Sequence, residues 1–200
     1  KNDENDQSRD YMGITYWVDV TDFDDIKLEY ENSRPVTAVI IVDNYDELMK
    51  NVPDRARIEL RSAIDEHIAQ WCEGKNGLLR RYDRDRYMFI FENRYLSEIR
   101  EKKFDILESI RQVVSTTGIH ATLSIGVGKD GSSFEENFSF ANLATEMALS
   151  RGGDQAVIKN KYNFEFFGGR GMEIETRTKV KSRVTANALA ELIKDSGQVM

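Results

Sequence analysis

Two carboxylates in this sequence could hold a divalent cation between them. Asp43 closes the apolar run Val-Thr-Ala-Val-Ile-Ile-Val at residues 36–42, and Asp85 lies inside Tyr-Asp-Arg-Asp-Arg-Tyr at residues 82–87. The second stretch is flanked by Leu-Leu-Arg-Arg and Met-Phe-Ile-Phe, which reads as strand, tight polar turn, strand. If this hairpin pairs with the 36–42 strand, Asp43 and Asp85 meet at one edge of a sheet. Carboxylate oxygens there suit Mg²⁺ and, through it, a phosphate chain. Asp83, Arg84 and Arg86 surround Asp85 in alternating sign. The plainest reading of that run is a solvated hairpin tip whose ion pairs are worth little. Asp43 taken alone is likewise a turn or cap residue, so the bland and the functional readings both stand at this point.

Composition narrows the chemistry. The 200 residues carry 35 acidic and 28 basic side chains, a formal net charge of -7, which disfavours nucleic acid and anionic membrane surfaces as partners. A single cysteine, Cys72, leaves no intrachain disulfide and no cysteine zinc site, and two histidines, His67 and His120, are too few for a histidine metal cluster. His67 sits beside the apolar stripe of its helix and His120 precedes a strand, so both read as structural. No apolar run approaches the ~20 residues of a membrane span and no secretory signal opens the sequence, which points to a reducing, cytoplasmic, soluble setting.

The elements that must position the two carboxylates follow from periodicity. Residues 36–42 are apolar on both faces, as in a central strand. Leu60, Ile64, Ile68 and Trp71 mark a helix over 54–72, and the hairpin follows at 78–92. A second long helix is expected over 96–116, on the stripe Ile99, Phe104, Leu107, Ile110 and Val114, with Gly118 as its stop. A strand over 122–127, a helix over 138–150 burying Phe138, Ala141, Ala144 and Ala148, and short strands at 156–158 and 164–167 complete the order. The reading is an α/β sandwich with a ferredoxin-like, palm-like βαββαβ core, a mostly antiparallel sheet and helices on one face. Upstream, a strand over 11–20 and a helix over 23–32 cannot bury their own surface. Downstream, a glycine-rich break at 168–171 precedes an amphipathic run over 178–195.

These residues resemble the GGDEF domain of diguanylate cyclases over roughly 34–167. Asp43 at the strand end, the hairpin at 83–87, Leu-Ser-Ile-Gly-Val at 123–127 and the glycine-ended helix at 141–154 fall in that family's order. The version is closer to the degenerate GGDEF domain of GdpP-type cyclic-di-AMP phosphodiesterases. The resemblance implies four segments: residues 1–22 as the tail of a preceding PAS-like domain, 23–34 as a linker helix, 35–170 as the degenerate GGDEF domain, and 171–200 as a linker leading into a DHH domain. It also implies a parent enzyme held at the membrane by upstream helices, with its soluble domains in the cytoplasm.

Set against the cyclase pattern, the hairpin has kept its metal carboxylate and lost much else. The two glycines that admit the nucleotide are Asp83 and Arg84, the third signature position is Asp85, and the fourth and fifth are Arg86 and Tyr87. Asn51 matches a guanine-contacting Asn, Leu48 stands where a phosphate-binding Lys is expected, and the late Gly-Arg-Asn reads Gly152-Gly153-Asp154. The inhibitory Arg-x-x-Asp would fall at 74–77 and is absent. The implied site is therefore Asp43 and Asp85 on Mg²⁺ (Mn²⁺ in the parent phosphodiesterase domain), with Asn51, Asp83, Arg84 and Arg86 toward a purine nucleotide, ATP over GTP. No residue is assigned a catalytic role. The expected function is regulatory, with weak ATP hydrolysis and no cyclase activity, in a homodimer alongside PAS and DHH domains of the same chain, which the competing reading would have it couple. The competing expectation is a scaffold without chemistry.

Overall fold

A strand that is apolar on both faces has to be covered from both sides, and that requirement organises the protein. The computed structural model describes residues 15–168. Their elements are α1 (Thr21–Ser33), β1 (Pro35–Val42), α2 (Tyr45–Met49), α3 (Asp54–Cys72), β2 (Leu78–Arg81), β3 (Arg86–Glu92), a 3-10 turn at Asn93–Tyr95, α4 (Leu96–Glu101), α5 (Ile106–Ile110), β4 (Leu123–Gly128), α6 (Phe134–Ser150), β5 (Gln155–Lys159) and β6 (Phe164–Gly168). The strands form one sheet in the order β2-β3-β1-β4-β5-β6. Every neighbouring pair is antiparallel except β4 and β5, which α6 connects.

Alternate residues of β1 belong to different layers. Ala38, Ile40 and Val42 join the main core with Leu60, Ile64 and Ile68 of α3 and with Ile99 and Ile110 of α4 and α5. Val39 and Ile41 face the other way, onto Ala141 of α6. Helices therefore cover both faces, where the sequence reading placed them on one. Only small residues line the α6 side of β4, namely Ser124, Gly126 and Gly128, and α6 answers with Ala141, Ala144 and Ala148. The helix lies almost on the strand backbone.

Other boundaries moved for local reasons. α6 starts at Phe134 because Ser133 Oγ accepts the Glu136 amide at 3.1 Å and Glu136 in turn accepts the Ser132 amide at 2.6 Å. Phe138 thereby lands on the rim, 36% exposed, and is not core. The helix expected over 96–116 breaks after Glu101: Lys103 and Phe104 take φ of 51° and 56°, and the Phe104 amide closes back on Ile99 O at 3.1 Å. Residues 15–20 hold no strand, and α1 buries none of its residues. It is tied to the domain by Arg94 to Glu29 at 2.5 Å and by Asn93 to Glu31 O at 3.2 Å. The rest of the expected 11–20 strand and the 178–195 run lie outside the described residues.

Candidate functional site

β1 and the hairpin meet as their apolar patterns require. Ile41 is opposite Arg86, and the Val42 amide donates to Asp85 O at 2.9 Å, so the backbone brings the segments of Asp43 and Asp85 to the same sheet end. Asp43 itself turns toward the loop after α6. Its Oδ2 accepts the Asp154 amide at 2.9 Å, while Oδ1 is buried with no hydrogen-bond partner among the described residues. Ser124 Oγ, fully buried on β4, likewise completes no well-formed hydrogen bond, but its hydroxyl and that of Thr122 lie close enough to the Asp43 carboxylate to act on it. Burial pushes the Asp43 carboxyl above its ordinary range, and the Asp154 charge adds to the rise. The Ser124 and Thr122 hydroxyls and the Asp154 amide act against it.

The sign of this shift makes a prediction. A carboxyl raised in the fold contributes stability below the unfolded pKa of about 3.9 and loses it as pH climbs through the folded value. At pH 7 the raised Asp43 carboxyl is therefore a cost to the fold. In EDTA, Asp43→Asn should melt at a higher temperature than wild type at pH 7, with the gap closing toward pH 4. A gap that stays constant across that range would show that Asp43 ionisation is not its source.

The arginines of the hairpin are largely engaged. Arg84 forms a two-point pair with Asp46 of α2, at 2.9 and 3.0 Å, and its amide is capped by Asp83 Oδ1 at 2.7 Å. Arg81 folds back onto the carbonyls of Asp83 and Arg84 and reaches Asp65 of α3 at 3.3 Å. Tyr87, 3% exposed, donates its hydroxyl to the same Asp65. Its pKa is pushed up by burial and by that partner. Arg86 is the looser cation, 4.0 Å from Asp85 and 43% exposed. Asn51 stands in the α2–α3 turn at φ 58°, exposed, with no side-chain hydrogen bond among the described residues. The structure thus gathers Asp43, Asp83, Arg84, Asp85 and Arg86 around one sheet end, and among the described residues no hydrogen bond or ion pair ties Asn51 to them.

Other residues stand out only in three dimensions. Arg111, at the end of α5, clamps Asp154 with contacts of 3.1, 3.0 and 2.7 Å. The pair spans 43 residues with no spacing signal in the sequence. Asp46 and Asp65, the partners of Arg84 and Arg81, were equally invisible. At the opposite end of β2, a groove of about 420 Å³ lined by Glu66, Gln70, Glu73, Gly77, Leu79 and Phe89 among others has no arginine in its wall among the described residues. It lies beside residues 74–77, where the resemblance placed the missing inhibitory motif. Cys72, also in that wall, has its thiol pushed up to about 12 by burial, so it stays protonated and inert.

Could the site hold a cation? A buried carboxylate oxygen that completes no well-formed hydrogen bond is costly unless something neutralises it. Asp43 Oδ1 has the chemistry a divalent ion would need, and the Asp85 backbone reaches the same sheet end through Val42. No group of three or more His, Cys, Asp and Glu side chains forms a metal cluster among the described residues. Any ion held here would keep part of its water shell, as Mg²⁺ commonly does.

Comparison with known proteins agrees with this architecture. The sequence profile of the family described as "Cyclic-di-AMP phosphodiesterase GdpP-like, GGDEF domain" matches residues 40–166. The cyclic-di-AMP phosphodiesterase GdpP of Bacillus subtilis (strain 168) is 35% identical over 188 residues, covering 94% of this chain and 28% of that protein. The cyclic-di-AMP phosphodiesterase PdeA of Listeria monocytogenes is 36% identical over 187 residues, covering 93% and 28%. The chain therefore spans under a third of the length of these relatives. Among solved structures, the GGDEF domain of DgcB from Caulobacter crescentus, in complex with c-di-GMP, superposes with a TM-score of 0.55 at 16% identity, over 68% of this chain and 87% of that one. The active GGEEF domain of a diguanylate cyclase from Vibrio cholerae gives 0.53 at 14% identity, over 68% and 88%. At such identities the likeness concerns the fold alone. The profile match, together with the six-stranded sheet and the hairpin set beside Asp43, places the chain in the GGDEF-domain family of GdpP-like cyclic-di-AMP phosphodiesterases.

Proposed function

We propose that this chain is the regulatory, degenerate GGDEF domain of a membrane-anchored cyclic-di-AMP phosphodiesterase. In this reading it retains a Mg²⁺-nucleotide half-site that hydrolyses ATP slowly and no longer cyclises GTP. The observation that carries the reading is Asp43 Oδ1, buried without a well-formed hydrogen bond at the sheet end where the hairpin tip arrives. Family membership and the names of the relatives support the parent activity. Cleavage of cyclic-di-AMP is assigned to a DHH domain beyond residue 200, and sensing to a PAS-like domain that ends near residue 22.

Within the site, Asp43 and Asp85 would hold the ion, and Arg86 is the hairpin cation best placed to meet phosphate oxygens. Mg²⁺, when bound, would neutralise and polarise the terminal phosphates toward attack by water. Arg84 must first leave Asp46 to take part, and Asp83 fills the tip where a cyclase has glycine. Each missing charge-assisted phosphate contact costs roughly 1.5–3 kcal/mol, which weakens the nucleotide's hold and removes the geometry two GTP molecules need. Formation of cyclic-di-GMP from GTP by this chain would refute the loss of cyclase activity.

The decisive experiment is thermal unfolding with Mg²⁺ plus ATP or GTP. At ten times Kd a ligand adds about 1.4 kcal/mol, roughly 3–6 °C for a domain of this size. That rise should appear with ATP and vanish in Asp43→Ala/Asp85→Ala. No shift at millimolar nucleotide would leave a second reading: a homodimeric scaffold relaying between flanking domains. Two observations favour that alternative, the commitment of Arg84 to Asp46 and an α1 whose Phe23, Ile26 and Tyr30 stay exposed.

A further inference from the structure

We infer that Arg111 is a positioning residue for the Asp43 carboxylate, acting through the 152–154 turn; the inference rests on the cation-site reading above. Three consecutive residues of that turn have positive φ: Gly152 at 104°, Gly153 at 72° and Asp154 at 55°. A side chain at Gly153 would place its Cβ 2.9 Å from Asp43 Oδ2, so the backbone must pass the carboxylate bare. Two glycines give the turn little stiffness of its own. The Gly152 and Gly153 amides close back on Leu149 O and Ala148 O at 3.0 Å, and Gln155 Nε2 donates to Gly153 O at 3.3 Å. The side-chain anchor at the Asp43 end is Asp154, 13% exposed and gripped by the Arg111 guanidinium. With Asp154 fixed, its amide points at Asp43 Oδ2 at 2.9 Å, which sets the rotation of the carboxylate and leaves Oδ1 for an ion.

The contacts continue from Arg111 back to the start. The Arg111 carbonyl lies 2.8 Å from His120 Nδ1, and the His120 carbonyl accepts from Asn44 Nδ2 at 2.9 Å. Asn44 follows Asp43 in the chain. A circuit thus leaves Asp43 through Asp154 and Arg111 and returns at the next residue, joining the α5–β4 connection to the carboxylate.

A purely electrostatic role for Arg111 predicts the opposite result from a positioning role. Its positive charge repels a cation, so deleting it should tighten metal binding unless the guanidinium is holding the ligand in place. The test uses the 200-residue chain as wild type, Arg111→Ala, Arg111→Lys and Asp154→Asn. Two readouts are needed: hydrogen exchange of the Asp154 amide without metal, and Mn²⁺ titration followed by electron paramagnetic resonance. Arg111→Ala should speed Asp154 exchange about tenfold or more and weaken Mn²⁺ binding several-fold, while core amides such as Ile64 exchange as before. Arg111→Lys, which keeps the charge but not the two-point grip, should fall between, and Asp154→Asn should resemble Arg111→Ala. Unchanged Asp154 exchange, or tighter Mn²⁺ binding, in Arg111→Ala overturns the inference. Exchange that responds in a protein whose wild type binds no Mn²⁺ supports the hold on Asp43 and overturns the cation-site reading instead.

Discussion

Gly126→Ala is expected to cost this protein at least about 3 kcal/mol, seen as a fall in Tm of roughly 6–12 °C. The reason is space. A Cβ on Gly126 would lie 2.1 Å from the Ala141 carbonyl oxygen and from Thr145 Oγ1, and 2.4 Å from the Thr145 amide nitrogen. At Gly128 the distance to the Asn137 carbonyl oxygen would be 1.9 Å. These obstacles are mostly helix backbone, which cannot swing aside as a side chain can. One methyl group therefore has to lift α6 off the sheet, along with its contacts to Val39, Ile41 and Val157. Gly128→Ala should do the same, and the two substitutions should be less than additive because one displacement of the helix relieves both. Melting curves followed by circular dichroism check this; a Tm within a degree of wild type would mean that α6 is not seated as described.

Phe104→Ala should be nearly as damaging, costing about 3–5 kcal/mol. Phe104 is 1% exposed, stacks on Trp71 with centroids 6.1 Å apart and tilts against Phe167 at 5.1 Å. It joins α3 to the edge strand β6 through a residue that belongs to neither. Removing the ring leaves a cavity between elements that rest on different parts of the sheet, and collapse from either side is limited. Phe104→Leu should recover about half of the loss, since most of the buried area returns without the ring contacts. Urea unfolding distinguishes the cases: a lower midpoint at unchanged slope is the expected result. A midpoint shift below that of a typical surface substitution would contradict the packing described.

Phe104 also marks where sequence reasoning stopped being sufficient. Its spacing from Leu107 and Ile110 fits a helical stripe, whereas the five residues from Ile99 do not, and the residue is indeed buried. The chain reaches that position by ending α4 and taking two left-handed residues, at a local cost repaid by the ring's place between Trp71 and Phe167. Those partners lie 33 residues before it and 63 after it in the sequence. Nothing in the local pattern could announce them.

What the sequence determined by itself is the set of elements whose apolar pattern is local and complete. β1 is apolar throughout, α3 repeats at three and four residues, and the hairpin has a charged tip between apolar arms. With the order of strands and helices, these suffice for the fold class and the family resemblance. A single cysteine likewise allows no intrachain disulfide and no cysteine zinc site within these 200 residues. Only the tertiary structure decided how the candidate site is wired. It gave Arg84 to Asp46, Arg81 and Tyr87 to Asp65, Asp154 to Arg111, and the Asp154 amide to Asp43. The physical reason is range. Periodicity reports which face of an element avoids water, whereas a charged side chain takes the partner that the completed fold brings within about 3 Å, and that distance exists only once the sheet has closed.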